Sequence, residues 1–335
     1  MLPKKILLIR LDRIGDLVLT LPVDQSLLPS ESKWWVPKGL SFVTSLAVPP
    51  RSAVEVAKKI SITEFFDLLR FVRQERFDAA VIFQAPWWVS LLLMVAGVKI
   101  RAGVKSQWHS FLFLNRAVRQ KRSRAEVTEL EYNYRLVEEA FGLPANSLKR
   151  HTLKLRARPG GEAFIANHGL EKEKYSVVHP GMGGSALNWP TERYAALIEA
   201  LAPKEKIVIT GTAADEPWIA PLRDLLHDHP KVVWLDGKLK GPELIAVLSL
   251  ARTITAPSTG VLHLAASVGR PTLGLFSPVK VQHPRRWGPQ GERVAALVPD
   301  VECTGGNSCV ATSCKRGDCM ARISTEQALE TLEKI

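Results

Sequence analysis

The chain has 335 residues, of which 46% are hydrophobic and 23% charged, and it carries a formal net charge of +12 at pH 7. The length allows two compact units that each bury a core, and the composition excludes a disordered or low-complexity protein. Although the charge indicates an anionic partner, the chain has no zinc-finger spacing, RNP-type motif or basic zipper, so nucleic acid is not expected.

The first element is a short apolar strand and not an export signal. Residues 1–5 lead directly into ILLIR, which is too short and wrongly flanked for a signal peptide. The longest apolar run, residues 85–98, is shorter than the roughly 20 residues that span a bilayer. We therefore expect a cytoplasmic protein. The run is either a buried strand and helix start or, through Trp87 and Trp88, a contact with a membrane surface.

Apolar runs alternate with helical patterns through the first half. The strands predicted there are 5–10, 34–37, 79–84 and 99–103. The helices predicted there are 16–28, 51–60, 62–75, 89–96 and 128–141. Residues 144–161, which end in Pro-Gly-Gly, are the best candidate for a linker.

The second half has the same alternation, which favours an α/β fold with a parallel sheet. A C-terminal helix is expected over residues 324–335, with Ser324 or Thr325 as its N-cap. The expected domains are residues 1–155, residues 162–323 and this C-terminal helix, which could pack across the domain junction. The strands predicted in the second half are 175–179, 206–210, 232–236, 253–256 and 272–276.

The segment VVHPGMGGSALNWP at 177–190 runs from a strand into a glycine loop and then into a helix start. Gly181, Gly183 and Gly184 let the backbone turn tightly and approach a ligand, and the helix presents unpaired N–H groups to an anion. A second junction opens the chain, KKILLIR-LDRIG-DLVLTLP, with Asp16 where the loop becomes a helix. Two such junctions indicate two nucleotide-binding-like domains.

Basic residues are concentrated between 101 and 124, with His109 among them. They form either a solvated face or a cradle for an anionic acceptor or for anionic lipid headgroups. The residues concerned are Arg101, Lys105, Arg116, Arg119, Lys121, Arg122 and Arg124.

Cysteines are confined to the tail, at Cys303, Cys309, Cys314 and Cys319. Their spacing is looser than the paired Cys-x2-Cys of typical zinc sites, and stable disulfides are not expected in a reducing cytoplasm. We expect reduced, partly packed thiols, with a structural zinc site as the less favoured alternative.

Several motifs together resemble glycosyltransferase family 9, the lipopolysaccharide heptosyltransferases. They are IRLDRIGD at 9–16, HPGMGGSALNWP at 179–190, GTAADE at 211–216, STGVLHLAASVGRPTLGLF at 258–276 and the cysteine-bearing tail that ends in CM at 319–320. The resemblance implies the GT-B fold, with two Rossmann-like doubly wound domains facing across a cleft. It also implies that the N-terminal domain holds the acceptor and the C-terminal domain the nucleotide-sugar donor.

The resemblance assigns roles to individual residues. Asp16 is the expected general base, although an acid at this position is also a common first-turn residue of a helix. The basic first half would orient an anionic glycolipid acceptor, with Arg13, Arg101 and Lys105 as candidates. No Asp-X-Asp motif indicates a metal ion, and no other cofactor is expected. The expected donor-binding residues are Gly181, Met182, Gly183, Gly184, Ser185, Ser258, Thr259, Gly260 and His263.

Two departures from the family pattern limit what the resemblance implies. Leu187 replaces a lysine, and Ser258 replaces an acid, so the sugar that is held, or the rate, could differ. Lys280 or His283 is a candidate for the missing cation. The implied activity is inverting transfer of heptose from ADP-heptose to a lipopolysaccharide core acceptor, at the inner face of the cytoplasmic membrane.

Two other functions compete with this one. The two departures would also suit a non-catalytic protein that binds sugar nucleotides or glycolipids. A nicotinamide-dependent oxidoreductase is disfavoured because the first loop lacks the G-x-G-x-x-G fingerprint.

Overall fold

The computed structural model of the chain describes residues 2–184, 186–301, 303 and 319–335. The chain divides into two compact units, and each is described by itself. The first contains residues 1–122 and 129–153, and the second contains residues 123–128 and 154–335.

The first unit has a six-stranded parallel sheet in the order β3-β2-β1-β4-β5-β6. Helices cover the central strands on both faces, which is why strand β1 is almost wholly apolar and buried. The strands are β1 (Lys5–Arg10), β2 (Glu31–Pro37), β3 (Ala53–Val56), β4 (Ala79–Gln84), β5 (Ile100–Val104) and β6 (Arg116–Val118). The α-helices are α1 (Ile14–Val18), α2 (Ser41–Ser45), α3 (Ile62–Glu75), α4 (Trp87–Val95), α5 (Trp108–Phe113) and α6 (Glu129–Ala140).

Two helices predicted in this unit are wrong. The helix expected over 51–60 is replaced by strand β3, which pairs with β2 from Trp34↔Ala53 to Pro37↔Val56. The helix expected over 16–28 ends at Val18, and a 3-10 helix, Leu21–Leu27, follows it. Pro22 explains this break, because its ring has no N–H and clashes with the carbonyl one turn earlier in an α-helix.

The apolar run at 85–98 is mainly helix α4 and contains no strand, contrary to the expected buried strand and helix start. Its buried side chains, which include Val89, Leu92 and Leu93, pack into the core against β1 and α3. Across the described residues, no helix combines the length and the apolar character needed to cross a bilayer.

The second unit has its own six-stranded parallel sheet, in the order β12-β11-β10-β7-β8-β9. Its strands are β7 (Tyr175–Val178), β8 (Lys206–Ile209), β9 (Val232–Trp234), β10 (Ile254–Pro257), β11 (Thr272–Leu275) and β12 (Val294–Leu297). Its α-helices are α7 (Gly161–Ala166), α8 (Thr191–Leu201), α9 (Glu216–Leu226), α10 (Gly241–Leu250), α11 (Gly260–Ser267), α12 (Pro284–Trp287) and α13 (Thr325–Lys334). Three 3-10 helices are also described there, Ala213–Asp215, Lys280–Gln282 and Met320–Arg322.

The C-terminal helix α13 packs on the core of the second unit. Ala328 and Leu332 join the cluster that contains Leu197 of α8. Ser324 is the N-cap, as one of the two predicted alternatives had it, and its hydroxyl accepts a hydrogen bond from the Gln327 N–H. The buried indole of Trp189 donates to the Ile323 carbonyl at 2.9 Å and so ties the segment before α8 to the segment before α13.

Candidate active site

The carboxyl end of β1 places a buried arginine among three carboxylates. The Arg10 guanidinium is only 3% exposed and donates from Nε to Asp12 Oδ1 at 2.7 Å and from Nη2 to Asp12 Oδ2 at 2.9 Å. Nη2 also donates to Asp16 Oδ1, and Nη1 donates to Glu129 Oε1 at 3.2 Å. A buried charge of this kind is stable only when it is paired, and each of the three guanidinium nitrogens of Arg10 donates to a carboxylate.

Helix α6 supplies the other wall of this network. Glu129 and Asn133 lie one turn apart on the helix and so face the same way. Arg122 also donates to Glu129 Oε1. Asn133 Nδ2 donates to Thr20 Oγ1 at 3.0 Å, and Thr20 Oγ1 donates to the Asp16 carbonyl at 2.6 Å. These contacts fix the backbone that carries Asp16.

The two acids after β1 are held differently. Both oxygens of Asp12 accept hydrogen bonds from Arg10, whereas only Oδ1 of Asp16 does, and Asp16 Oδ2 has no hydrogen-bond partner among the described residues. The Asp16 side chain is 13% exposed. Asp16 therefore has a free oxygen that can accept a proton from a bound hydroxyl.

The environment of Asp16 makes it a stronger base than an ordinary aspartate. Burial is the main cause, with the nearby charges of Asp12 and Glu129 adding to it, and together they raise the pKa of Asp16 to about 6 although Arg10 opposes them. The same three carboxylates raise the pKa of Arg10, so its positive charge is permanent. A carboxylate with a pKa near the working pH suits general-base catalysis.

The three candidate acceptor residues occupy different environments. Arg13 precedes α1 and is exposed, with no ion-pair partner among the described residues. The Arg101 guanidinium donates to the carbonyls of Phe113 at 2.8 Å and Val98 at 2.7 Å, which gives it a structural role in this unit. The ammonium of Lys105 lies 4.8 Å from the centre of the Phe111 ring. Of the three candidates, Arg13 is nearest to Asp16 along the chain. Its side chain can bind an acceptor without giving up an ion pair with any described residue of this unit.

In the second unit, the glycine loop that follows β7 rests on Asp215. Asp215 Oδ1 accepts a hydrogen bond from the Gly183 N–H at 3.3 Å, and Oδ2 accepts from the backbone N–H and hydroxyl of Thr212 at 2.9 and 2.8 Å. A Cβ atom on Gly181 would lie 2.2 Å from Asp215 Cγ, so only glycine fits there. Gly183 and Gly184 have φ values of +56° and +69°, which also favour glycine.

The remaining predicted residues of this loop contribute through the backbone or are not described. Met182 is 5% exposed, so its side chain is not offered to a ligand. Ser185 lies outside the described residues. His179, which precedes the loop, shares a hydrogen bond of 3.0 Å with Thr210 Oγ1, and burial lowers its pKa to about 4. It is neutral at pH 7.

The end of β10, next to β7 in the sheet, carries the second group of predicted donor residues. Ser258, Thr259 and Gly260 are partly exposed and lead into α11, whose first turn is not capped by the Thr259 side chain. His263 lies one turn into the helix and is 4% exposed, and its Nδ1 has no hydrogen-bond partner among the described residues. The sheet thus brings both predicted groups to one edge, where doubly wound folds bind ligands.

Burial lowers the pKa of His263 to about 4. The imidazole is therefore neutral at pH 7 and carries no positive charge. An unsatisfied buried nitrogen costs free energy, which a bound ligand would recover.

The departures at Leu187 and Ser258 leave a site with fewer charges. Leu187 is partly buried against the core of the second unit, and its N–H donates to Gln282 Oε1 at 3.3 Å. Gln282 Oε1 also accepts from Ser277 Oγ at 2.7 Å and so ties the glycine loop to the segment after β11. His283 does not supply a cation, because its Nδ1 accepts from the Arg285 N–H and burial, followed by Arg285, lowers its pKa. Lys280 is exposed.

The predicted cysteine cluster is only partly described. Cys303 is exposed and Cys319 is half-buried, and Cys309 and Cys314 lie outside the described residues. Within the described ranges, no group of three or more His, Cys, Asp or Glu side chains is placed to hold a metal ion.

Sequence reasoning missed the residues that hold the predicted ones in place. Arg10 and Asp215 stand inside the quoted motifs but were given no role, and Glu129, Asn133 and Gln282 lie outside them. A charged residue at the end of an otherwise apolar strand, as in ILLIR, is the signal that indicates Arg10. No local pattern links it to Glu129, 119 residues later.

The fold resembles solved structures over nearly the whole chain. The Escherichia coli ADP-heptose lipopolysaccharide heptosyltransferase II has a TM-score of 0.80 at 19% identity, with 98% of each chain covered. The Escherichia coli heptosyltransferase WaaC, solved with ADP, has a TM-score of 0.71 at 18% identity, with 98% of this chain and 99% of that one covered. These likenesses identify the architecture as the GT-B fold.

Sequence relatives agree with the fold. A Haemophilus influenzae protein named "Putative glycosyltransferase" is 29% identical over 300 residues, which cover 85% of this chain and 86% of that protein. The lipopolysaccharide core heptosyltransferase OpsX of Haemophilus influenzae is 21% identical over 292 residues, or 82% of this chain and 79% of the relative. The model of glycosyltransferase family 9 (heptosyltransferase) matches residues 65–312, well over half of the chain. The chain therefore belongs to glycosyltransferase family 9, as its motifs predicted, and is a glycosyltransferase.

Proposed function

We propose that this glycosyltransferase moves a heptose from ADP-heptose to a hydroxyl of a lipopolysaccharide core acceptor, with inversion at the anomeric carbon. The observation that carries the proposal is Asp16, a carboxylate with one oxygen held by Arg10, one oxygen free and a pKa raised to about 6. In a direct displacement, the acceptor hydroxyl oxygen attacks the anomeric carbon and its proton passes to the free Asp16 oxygen. The bond from the anomeric carbon to the diphosphate oxygen breaks, and its electrons leave with ADP.

The second unit is assigned the donor. The N–H groups of the first turn of α11, and those of the glycine loop other than the Gly183 N–H that Asp215 holds, suit a diphosphate, because they are fixed donors that need no reorganisation as charge develops on the leaving group. His263 Nδ1, which has no partner among the described residues, offers one further polar contact. That WaaC was solved with ADP and with ADP-2-deoxy-2-fluoro heptose supports an ADP-sugar as the first donor to test.

The first unit is assigned the acceptor. Its Arg13 is exposed near Asp16 and suits a phosphate or carboxylate on the acceptor. The relative named lipopolysaccharide core heptosyltransferase OpsX supports a core oligosaccharide as the acceptor class.

The test is mass-spectrometric detection of sugar transfer from ADP-heptose to a Kdo-bearing lipid A acceptor. We expect a heptose adduct with the wild type and a loss of about 10² to 10⁴ in rate with Asp16→Asn, the usual contribution of a general base. Asp12→Asn is the matched control for a charge change beside Arg10, and it should retain more activity than Asp16→Asn.

The same experiment distinguishes sugar transfer from the competing function, binding of a sugar nucleotide without turnover. Leu187 and Ser258 replace the lysine and the acid of the family pattern. The loss of these two charges would suit a protein that binds a sugar nucleotide without turnover. Stabilisation by ADP-heptose with no adduct on any core acceptor would favour that binding protein and would overturn the proposed transfer.

A further inference from the structure

Exposed apolar side chains are concentrated on the first unit. Among the described residues, ten of the eleven large hydrophobic side chains that are exposed belong to it, and Leu225 is the exception. Six of the ten lie on helix α5 or in the first turns of helices α3 and α4, and their exposed fractions range from 48% to 78%. We call these six side chains the apolar rim: Ile62, Phe66, Trp87, Trp108, Phe111 and Leu112.

The rim lies along one edge of the sheet. Helices α3, α4 and α5 directly follow strands β3, β4 and β5, so each helix begins at the carboxyl end of a parallel strand. Ring contacts join the three helix starts. Phe65, beside Phe66, lies 6.5 Å from Trp88, and Trp87 lies 6.0 Å from Trp108, measured between ring centres. The exposed rings of α4 and α5 are therefore in contact, and Phe66 of α3 is linked to them through the half-buried Phe65 and Trp88. Clustered apolar rings of this kind are unusual for a face left to water.

Unpaired positive charge borders this surface. Lys105 lies over the Phe111 ring, and its N–H donates to the Val118 carbonyl at 2.7 Å, which brings Arg119 beside it. Lys58 is fixed next to the rim because its carbonyl accepts from the Trp88 indole at 3.1 Å. Among the described residues, neither Lys58, Lys59, Lys105 nor Arg119 has a carboxylate partner within ion-pair distance.

The nearby acids are already engaged. Glu64 accepts from the Ser61 N–H in the N-terminal cap of α3, and Asp67 is paired with Arg70 at 3.4 Å. The positive ends of the α3 and α4 dipoles also point to this edge. The surface is therefore apolar at its centre, and at its border the four cations outnumber Glu64, whose carboxylate keeps its negative charge.

We propose that the apolar rim and its four cations dock the chain on a lipid bilayer that carries anionic headgroups. Trp, Phe and Leu insert into the boundary between headgroups and acyl chains, and Lys and Arg stay at the headgroup level. A second copy of this chain fits less well, because a symmetric contact would bring the same positive borders together. The docking rests on the rim itself, and its use in catalysis rests on the proposed function.

That use follows from where Asp16 lies. Strand β1 neighbours β4, and the Leu11 N–H donates to the Gln84 carbonyl at 2.8 Å, so Asp16 and the start of α4 share the same edge of the same sheet. A bilayer bound at the rim would present the sugar of a membrane-anchored acceptor to the edge that carries the base.

The experiment is flotation of the full chain with vesicles of phosphatidylcholine alone and of phosphatidylcholine mixed with phosphatidylglycerol. We expect binding to the mixed vesicles that weakens with salt. Trp108→Ser with Phe111→Ser should weaken it about tenfold or more, since two inserted rings are lost. Lys105→Gln with Arg119→Gln should weaken binding to the mixed vesicles about thirtyfold, at about 1 kcal/mol for each cation.

Matched controls separate the rim from general effects. Leu225→Ser removes an exposed apolar side chain of the second unit, and Lys231→Gln with Arg156→Gln removes two exposed cations there. These variants should bind the vesicles as the wild type does. Circular dichroism and thermal unfolding of every variant check that the fold is intact.

Three results would overturn the proposal. They are no binding to the mixed vesicles, equal binding of the rim variants and the wild type, and a rim variant that abolishes self-association in a centrifuge while vesicle binding is unchanged. None of these measurements uses a donor or a transfer assay, so a failure of the proposed reaction would leave the vesicle result standing.

Discussion

The basicity of Asp16 is set by opposing effects within a few ångströms. Burial and two neighbouring carboxylates raise its pKa, while the Arg10 guanidinium lowers it. Because the base must be ionised to accept a proton, kcat/KM should fall as the pH drops below about 6, by up to tenfold for each further pH unit. It should be level above that pH until another group titrates. A pH profile of sugar transfer with saturating donor measures this limb.

The control for the pH profile is Asp16→Asn. Its residual activity should show no acid limb, because the titrating group is gone while the shape of the side chain is kept. An acid limb of the same position in wild type and variant would mean that a different group titrates and would contradict the role of Asp16.

Gly181 is fixed by the side chain beneath it. A methyl group there would overlap Asp215, whose carboxylate also holds the Gly183 and Thr212 N–H groups. We expect Gly181→Ala to cost about 1 to 3 kcal/mol of unfolding free energy, as overpacking usually does, and to weaken ADP binding by displacing the loop. Thermal unfolding and calorimetry measure the two effects.

Gly161 offers a matched alanine substitution in the same unit. Its added Cβ would lie 3.3 Å from the Ala246 Cβ, and its φ is not in the left-handed region. Gly161→Ala should leave ADP affinity unchanged. Equal ADP affinity in the wild type and Gly181→Ala would show that the loop does not contact the nucleotide.

At the scale of elements, β1 and α6 are joined through Glu129. Its side chain is 1% exposed, and it accepts from Arg10 and Arg122. Glu129→Gln should cost about 3 to 5 kcal/mol, the usual effect of breaking a buried ion pair. It should also lower the pKa of Asp16, because one of the negative charges that raises it is removed. The acid limb of kcat/KM would then move to lower pH.

Glu131 provides the comparison on the same helix. It pairs with Arg135 and Arg150, away from Arg10. Glu131→Gln should leave the acid limb where it is in the wild type. A limb that does not move in Glu129→Gln would mean that Glu129 is only structural and does not tune the base.

Local patterns predicted the elements that are stabilised locally. Strands β1, β4 and β7 are continuous apolar runs, and α3 carries its own capping box at Ser61 and Glu64, so all four were predicted close to their observed bounds. Strand β3 was mistaken for a helix because AVEV is short and its stability comes from pairing with β2. Strands β6 and β12 were missed for the same reason, since three or four residues carry too little periodicity.

In the candidate active site, too, local patterns predicted only what local conformation requires. Residues in glycine-rich or family-like motifs could be named from the sequence, since their backbone conformation requires particular residue types. The partners of Arg10 could not be named, because Glu129 meets Arg10 only through the packing of α6 beside β1. The apolar rim could not be predicted from the sequence either, apart from the tryptophan pair at 87–88. Whether Trp108 and Phe111 are buried or exposed depends on a short helix that was not predicted.

At the scale of the whole molecule, the proposed reaction divides between the two units. If the second unit holds the nucleotide and the first supplies the base, binding and chemistry should be lost separately. Asp16→Asn should slow transfer about 10²- to 10⁴-fold but keep the stabilisation by ADP, which is about 2.7 kcal/mol at a ligand concentration of 100 times Kd. Gly181→Ala should lose most of that stabilisation. Thermal unfolding with and without ADP, run beside the transfer assay, measures both.

Two results would contradict this division of nucleotide binding and proton transfer between the two units. If Asp16→Asn loses the ADP stabilisation as well as transfer, the carboxylate contributes to nucleotide binding and the loss of activity no longer identifies it as the base. If both variants keep the stabilisation, the nucleotide lies elsewhere than on the glycine loop. Only retained stabilisation in Asp16→Asn together with reduced stabilisation in Gly181→Ala assigns proton transfer to the edge that carries Arg10 and nucleotide binding to the edge that carries Asp215.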